Sequence, residues 1–375
     1  MSAEAIPEPD RVEGAPHPRE TRRLVGQGAA EAAFLDAYRA GRLHHAWLLT
    51  GPLGVGKATL AWRIAGFLLA TPEDRGGGLF GATPAAPQSL DIDPNHPVAR
   101  RIHAGSEGRL FVLRRAWDDE RKRLKSVITV DEVRRLGSFL HLSAADGGRR
   151  AVIVDPADEM NPQAANALLK MLEEPPQGVT FLLVSHAPSR LLPTIRSRCR
   201  ELRLATLSPA DLSAAIAAAG VEDADGTALA VLAGGSVGEA IRLANLDGLA
   251  TYAAITGLFA TLPRLDRPQA LRLADSAAQR GAEDRLDLLL ALLDLFLARL
   301  ARAGALGHAG PEAAPGEAAL LSRLAPDGTA GRRWAALHQG LGARARHGRA
   351  VNLDPGALIL DMVLKIAGAQ RDGAG

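Results

Sequence analysis

The stretch Gly51-Pro52-Leu53-Gly54-Val55-Gly56-Lys57-Ala58-Thr59 constrains this chain more than any other. It lies between an apolar run, Ala46-Trp47-Leu48-Leu49, and a segment of helical texture from about Thr59 to Leu69. The pattern predicts a strand, a glycine-rich turn and a helix. Glycines let successive backbone N–H groups turn toward an anion, the helix start adds its positive dipole end, and Lys57 reaches the outer phosphates. Gly51, Gly54, Gly56, Lys57 and Thr59 are therefore candidate nucleotide-binding residues. One part is missing. The position after the lysine, where a Ser or Thr hydroxyl would hold Mg²⁺, is Ala58. Thr59 does not replace it, because the next helical residue points about 100° further round. Taken alone, the stretch leaves a nucleotide site and an ordinary glycine turn both open.

At 375 residues the chain is too long for one ordinary core, and two or three domains are expected. Apolar content of 47% with 23% charged residues excludes a disordered chain. A formal charge of +2 means that any nucleic-acid contact must rest on local basic clusters. The single cysteine, Cys199, excludes intrachain disulfides and multi-cysteine zinc modules. Residues 1–19 are rich in Pro, Glu and Asp without the apolar stretch of a signal peptide, so a disordered tail is expected there. Leu286 to Leu300, the most apolar segment, is interrupted by Asp287, Asp294 and Arg299 and predicts a buried helix, not a membrane span. A cytoplasmic protein is expected.

Gly28 to Ala40 predicts a helix stopped by Gly41. Thr71 to about Gly108 dissolves into Gly, Pro and isolated charges and is expected to be a long loop. Leu110 to Leu113 suits a short strand. Arg109, Arg114, Arg115, Arg121, Lys122, Arg123 and Lys125 form a basic run broken by Asp118, Asp119 and Glu120; it fits a solvated loop or a contact with a phosphate backbone. Ile128 to Leu142 predicts a helix.

Ala151-Val152-Ile153-Val154-Asp155 is a fully apolar strand ending in a carboxylate, as at the C-terminal edge of a parallel sheet. Asp155 is the natural partner of a phosphate loop, holding Mg²⁺ through water. A Glu directly after it would polarise the attacking water, but the next residue is Pro156. Asp158 and Glu159 are nearby and fit solvated loop charges. Pro162 to Leu172 predicts a helix, and Val179 to Val184 a buried strand with Ser185 and His186 at its end. From the capping box Ser208-Pro209-Ala210-Asp211 onward the texture is helical.

Gly51 to Thr59, then Ala165-Asn166-Ala167-Leu168-Leu169-Lys170-Met171-Leu172-Glu173-Glu174-Pro175-Pro176, then Ser197-Arg198-Cys199, in that order and spacing, resemble the clamp-loader branch of the AAA+ ATPases. The resemblance spans roughly Glu20 to Ile366. It implies an α/β P-loop AAA+ domain with a parallel sheet over residues 20–205, a small helical lid over 206–250, and an all-α collar over 251–375 through which five subunits associate. The implied partners are the other clamp-loader subunits, the sliding clamp indirectly, and primer–template DNA through the assembled complex, with no membrane.

The departures from the family pattern bear on the role. Motor subunits of this family carry a Ser or Thr where this chain has Ala58, a Glu where it has Pro156, and a lid Arg where it has Gly238. The resemblance therefore implies a non-hydrolysing subunit that binds ATP or ADP weakly at a degenerate site. With no cysteine between Thr71 and Gly108, no zinc is expected. It also implies that Arg198 projects into the ATP site of a neighbouring subunit, where a guanidinium stabilises charge on the γ-phosphate; the alternative is a local salt bridge. A second reading is an active AAA+ motor subunit with Asp158 or Glu159 as replacement carboxylate. A third is a P-loop kinase, which leaves Ser197-Arg198-Cys199 unexplained.

Overall fold

The computed structural model describes residues 7–21, 23–71, 87–142, 148–221, 226–279 and 283–372. Part of the expected 71–108 loop, residues 72–86, lies outside them. The chain divides into two compact units, Met1–Gly220 with Gly235–Gly238, and Val221–Gly234 with Glu239–Gly375. The stretch 206–250, expected as a lid, is shared between the two.

The first unit is built on a five-stranded parallel sheet. Its strands are β1 (Ala46–Thr50), β2 (Leu110–Leu113), β5 (Arg150–Val154), β6 (Val179–Ser185) and β7 (Arg200–Arg203), while β3 (Trp117–Asp118) and β4 (Arg123–Leu124) form a separate antiparallel ribbon. The order across the sheet is β2-β5-β6-β1-β7. Every residue of β1, β5 and β6 is buried, which is why these strands are apolar runs without alternation. One face, with Ala46, Leu48, Val152, Val154, Phe181 and Leu183, packs on α4 (Val130–Leu142), α5 (Pro162–Glu173) and Ile195 of the short α6 (Pro193–Arg196). The alternate residues face the other way, where Trp47 meets Phe34 of α1 (Gly28–Arg39), ring centroids 5.0 Å apart, and α2 (Lys57–Ala70) follows the phosphate loop.

Three expectations change. Within 71–108 the chain forms α3 (Pro97–His103): His96 caps it, Pro97 opens it, and Val98 and Ile102, one turn apart, are its buried face. Seven residues with two buried positions are too short for periodicity to reveal. The basic run is not a plain loop but the β3–β4 ribbon, turned at Lys122 with φ 49°. Residues 7–19 are not a loose tail; charged pairs tie them to the first unit, as described below. The predicted helix from Ile128 starts two residues later, after Thr129, whose backbone N–H and hydroxyl both donate to the Glu132 carboxylate in the first turn. Ser208 caps α7 (Pro209–Ala218) as its sequence predicts.

The second unit contains α8 (Gly226–Ala233), α9 (Val237–Asn245), α10 (Gly248–Ala260), α11 (Arg267–Ala277), α12 (Glu283–Leu306), α13 (Glu317–Leu324), α14 (Gly328–Ala350) and α15 (Pro355–Asp372). Helices α12 and α14 approach to backbone distance: a β-carbon on Gly304 would lie 2.7 Å from Gly331 Cα. Glu317, fully buried, accepts from Tyr252 (2.6 Å), Arg299 (2.6 Å) and the Ala313 N–H (2.7 Å), so its charge is satisfied where it joins α10, α12 and α13. No single described helix is long and apolar enough to cross a membrane.

Candidate functional site

The phosphate loop leaves the C-terminal end of β1, and the positive φ values of Gly51 (142°), Gly54 (75°) and Gly56 (98°) carry it into α2. Gly51 has no alternative: a β-carbon there would sit 2.4 Å from the carbonyl oxygen of Leu204. Gln27, just ahead of α1, pins the loop from below, donating to the carbonyls of Val55 (3.1 Å) and Ala205 (2.8 Å). The sequence reading passed over this residue, whose only signal is its place beside Gly26 at a helix start.

Lys57 is buried, and its ammonium turns back onto the loop, donating to the carbonyls of Gly51 (2.7 Å) and Pro52. Burial lowers its pKa to about 8, with Asp155 and Asp158 opposing the shift. Asp155 closes β5 on the neighbouring part of the same sheet edge. It is 4% exposed, and burial first, then the charge of Asp10, pushes its carboxyl up to about 7 against the pull of Lys57. Its Oδ2 has no hydrogen-bond partner among the described residues, and neither has the buried Ser185 Oγ at the end of β6. Gly51, Gly54, Gly56, Lys57, Thr59 and Asp155 are thus gathered at one edge, as their motif requires.

The catalytic additions of an active site are filled otherwise. Ala58 offers a methyl group. Asp158 accepts from the His186 N–H (2.8 Å), capping the end of β6, and Glu159 pairs with Arg115 (2.8 Å). Burial and Lys57 hold His186 down at about 4, so it is neutral at physiological pH. At Gly238, where motor subunits place an arginine, the backbone N–H donates to the Gly54 carbonyl (3.1 Å). A β-carbon on Gly238 would lie 3.1 Å from Gly54 Cα, so this turn lies directly on the loop.

Arg198 is elsewhere. It precedes β7, whose Arg200 pairs with Trp47 and whose Arg203 pairs with Thr50, so it lies beyond the N-terminal end of a strand parallel to β1. The loop leaves the other end, a separation of roughly 15–20 Å along the strands. The guanidinium donates to Thr194 O (2.9 Å) and pairs with Glu173 (2.8 Å), the last residue of α5, with both side chains more than a third exposed. Glu173 as its partner was not legible from spacing. Next to it, burial pushes the Cys199 thiol up to about 12, leaving it a neutral, inert core group.

A parallel sheet of this order, with a glycine-lysine loop after β1, between β6 and β7, and a carboxylate at the end of β5, defines a P-loop domain of the AAA+ class. Residues 26–208 match the family described as DNA polymerase III, delta subunit. The chain is 42% identical over 155 residues to DNA polymerase III subunit delta' of Pseudomonas aeruginosa, covering 41% of each. It is 32% identical over 167 residues to subunit delta' of Escherichia coli, covering 44% of each, and 29% identical over 195 residues to subunit gamma of Buchnera aphidicola, covering 52% of this chain and 47% of that one. Over this region the chain is similar to the delta' and gamma subunits of DNA polymerase III. The matches span about half or less of the length of these relatives.

Proposed function

We propose that this chain is a non-hydrolysing subunit of a DNA polymerase III clamp loader, and that it supplies Arg198 to the ATP site of a neighbouring subunit. The observation that carries the reading is the place of Arg198: half-exposed, and at the end of the sheet away from its own phosphate loop. An arginine so placed serves a site in another chain or none. The relatives named delta' and gamma support the clamp-loader setting. Absence of turnover is supported by the methyl of Ala58, by Pro156, by the commitment of Asp158 and Glu159 to other partners, and by the contact of Gly238 with Gly54. An active motor subunit would need one of those carboxylates free to act as a base.

In this reading ATP or ADP binds weakly and is not hydrolysed, and no zinc is held. The partners are motor subunits of the gamma/tau kind and a delta-like subunit, with the sliding clamp and primer–template DNA met through the assembled, cytoplasmic complex. The β3–β4 ribbon, where the Arg121 side chain is 69% exposed, is the surface offered to a phosphate backbone. The test is reconstitution with motor subunits. The isolated chain should turn over no ATP, and Arg198→Ala should depress turnover and clamp loading by the complex while leaving assembly intact. Vigorous ATP hydrolysis by the isolated chain would overturn the proposal.

A further inference from the structure

A segment of the same chain lies beside the phosphate loop. Residues 8–19 form successive turns, with the Arg11 N–H on Glu8 O and the Ala15 N–H on Val12 O, each at 3.1 Å. Charged side chains fasten this segment to the first unit. Glu8 accepts from Arg19 (2.7 Å) and Arg114 (3.1 Å); Asp10 accepts from Arg114 (2.5 Å) and stands 3.2 Å from His17 Nε2. The Asp10 side chain is 1% exposed, and His17 is fully buried, edge-on to Trp62 of α2 with ring centroids 5.5 Å apart. Arg114, the shared anchor, follows β2 at the same edge of the sheet that carries the loop and Asp155.

This segment lies against groups that flank the loop. Asp10 is close enough to Asp155 to act on its proton equilibrium more strongly than any other charge. Val12 reaches the turn that lies on Gly54: its Cγ2 would be 3.6 Å from a β-carbon on Gly238. Just beyond the segment, Leu24 covers Gly56, where a β-carbon would meet its Cδ1 at 2.5 Å. Beneath this cover Lys57 is directed at the loop's own carbonyls. A polyphosphate entering here would meet Asp10 and Asp155 in desolvated surroundings, where like charges repel strongly.

We infer that residues 8–19 are an acidic strap that closes the phosphate loop, and that a nucleoside di- or triphosphate binds only by lifting it. The inference rests on the reading of the loop as a phosphate site and is independent of the role of Arg198. Binding then competes with the Glu8–Arg114–Asp10 pairs, so the site stays shut unless the strap is drawn away.

The experiment uses the full chain. Binding of a ribose-labelled fluorescent ADP and ATP is measured by anisotropy for the unaltered chain, for Glu8→Gln with Asp10→Asn, and for Arg114→Ala. Trypsin cleavage after Arg11 reports strap release, and circular dichroism reports the fold. The expected result is cleavage at Arg11 together with a gain in nucleotide affinity of about tenfold or more, abolished when Lys57→Ala is added. Should either variant lose its helical signal, Arg114→Lys, which keeps the charge but not the two-pronged fork, provides the same comparison. Release of the strap without a gain in affinity would overturn the inference. So would tight nucleotide binding by the unaltered chain with Arg11 still protected. Neither outcome touches the Arg198 assay in the reconstituted complex, so the two proposals fail separately.

Discussion

At the loop end of the sheet, charged groups are buried and turned inward: Lys57 serves its own loop, Asp155 is nearly enclosed, and Asp10 is inaccessible. At the other end Arg198 is held at a half-exposed surface by two contacts. Buried charge is costly and survives only where each group has a compensating neighbour, whereas a partly exposed guanidinium costs little. The difference teaches that the motif most visible in the sequence is here the more enclosed one, and the shorter Ser-Arg-Cys string marks the more exposed end.

That contrast can be broken or sharpened by experiment. The largest effect is expected at the open end: Arg198→Ala should slow single-turnover hydrolysis at the neighbouring site by about 10³-fold, the lower range for a trans arginine, with subunit association unchanged. An equal loss from Lys57→Ala would mean that the two ends are not distinct in function. Next, Gly51→Ala should destabilise the chain by ~1–3 kcal/mol in denaturant titration, because its φ of 142° and the Leu204 carbonyl leave no place for a methyl group.

A smaller effect depends on pH. The Asp155 carboxyl is raised from 3.8 to about 7, so the folded chain holds a proton there that the unfolded chain has released, and its contribution to stability falls as pH rises through that window. Asp155→Asn should therefore raise the melting temperature at pH 8 and change it little at pH 4. A gain at pH 4 alone would reverse the sign and show the charge to be favourable in place. The smallest effect is expected for Glu173→Gln: a half-exposed pair contributes ~0–1 kcal/mol, so its melting temperature should stay close to that of the unaltered chain, and any change in complex turnover would then report on the aim of Arg198.

Much of the frame was legible because its signals are local. The apolar runs of β1, β5 and β6, the glycine-lysine turn between β1 and α2, and the Ser208 cap each declare themselves within a few residues. What escaped depends on partners far apart in sequence. Residues 8–19 look like a tail by composition, and Trp62 and Arg114, both distant in sequence, make them a packed segment. Glu173 and Arg198, or Gln27 and Ala205, meet through the crossovers of the sheet and share no periodic pattern. Gly238 was noted for the arginine it lacks; its contact with Gly54 adds that the turn would have to move before any side chain could fit there.

The crossing of α12 and α14 carries a consequence for which substitutions this chain can accept. Gly304 and Gly331 face each other's backbone, with a β-carbon on Gly304 falling 2.7 Å from both the Cα and the N of Gly331, and one on Gly331 falling 2.8 Å from the N of Ala305. A clash with main chain cannot be relieved by trimming a side chain on the opposite helix. The two positions therefore act as separate vetoes and not as an exchangeable pair. Either can change only if the helices move apart, so the spacing between these two long helices can be widened by mutation but has no room left to shrink.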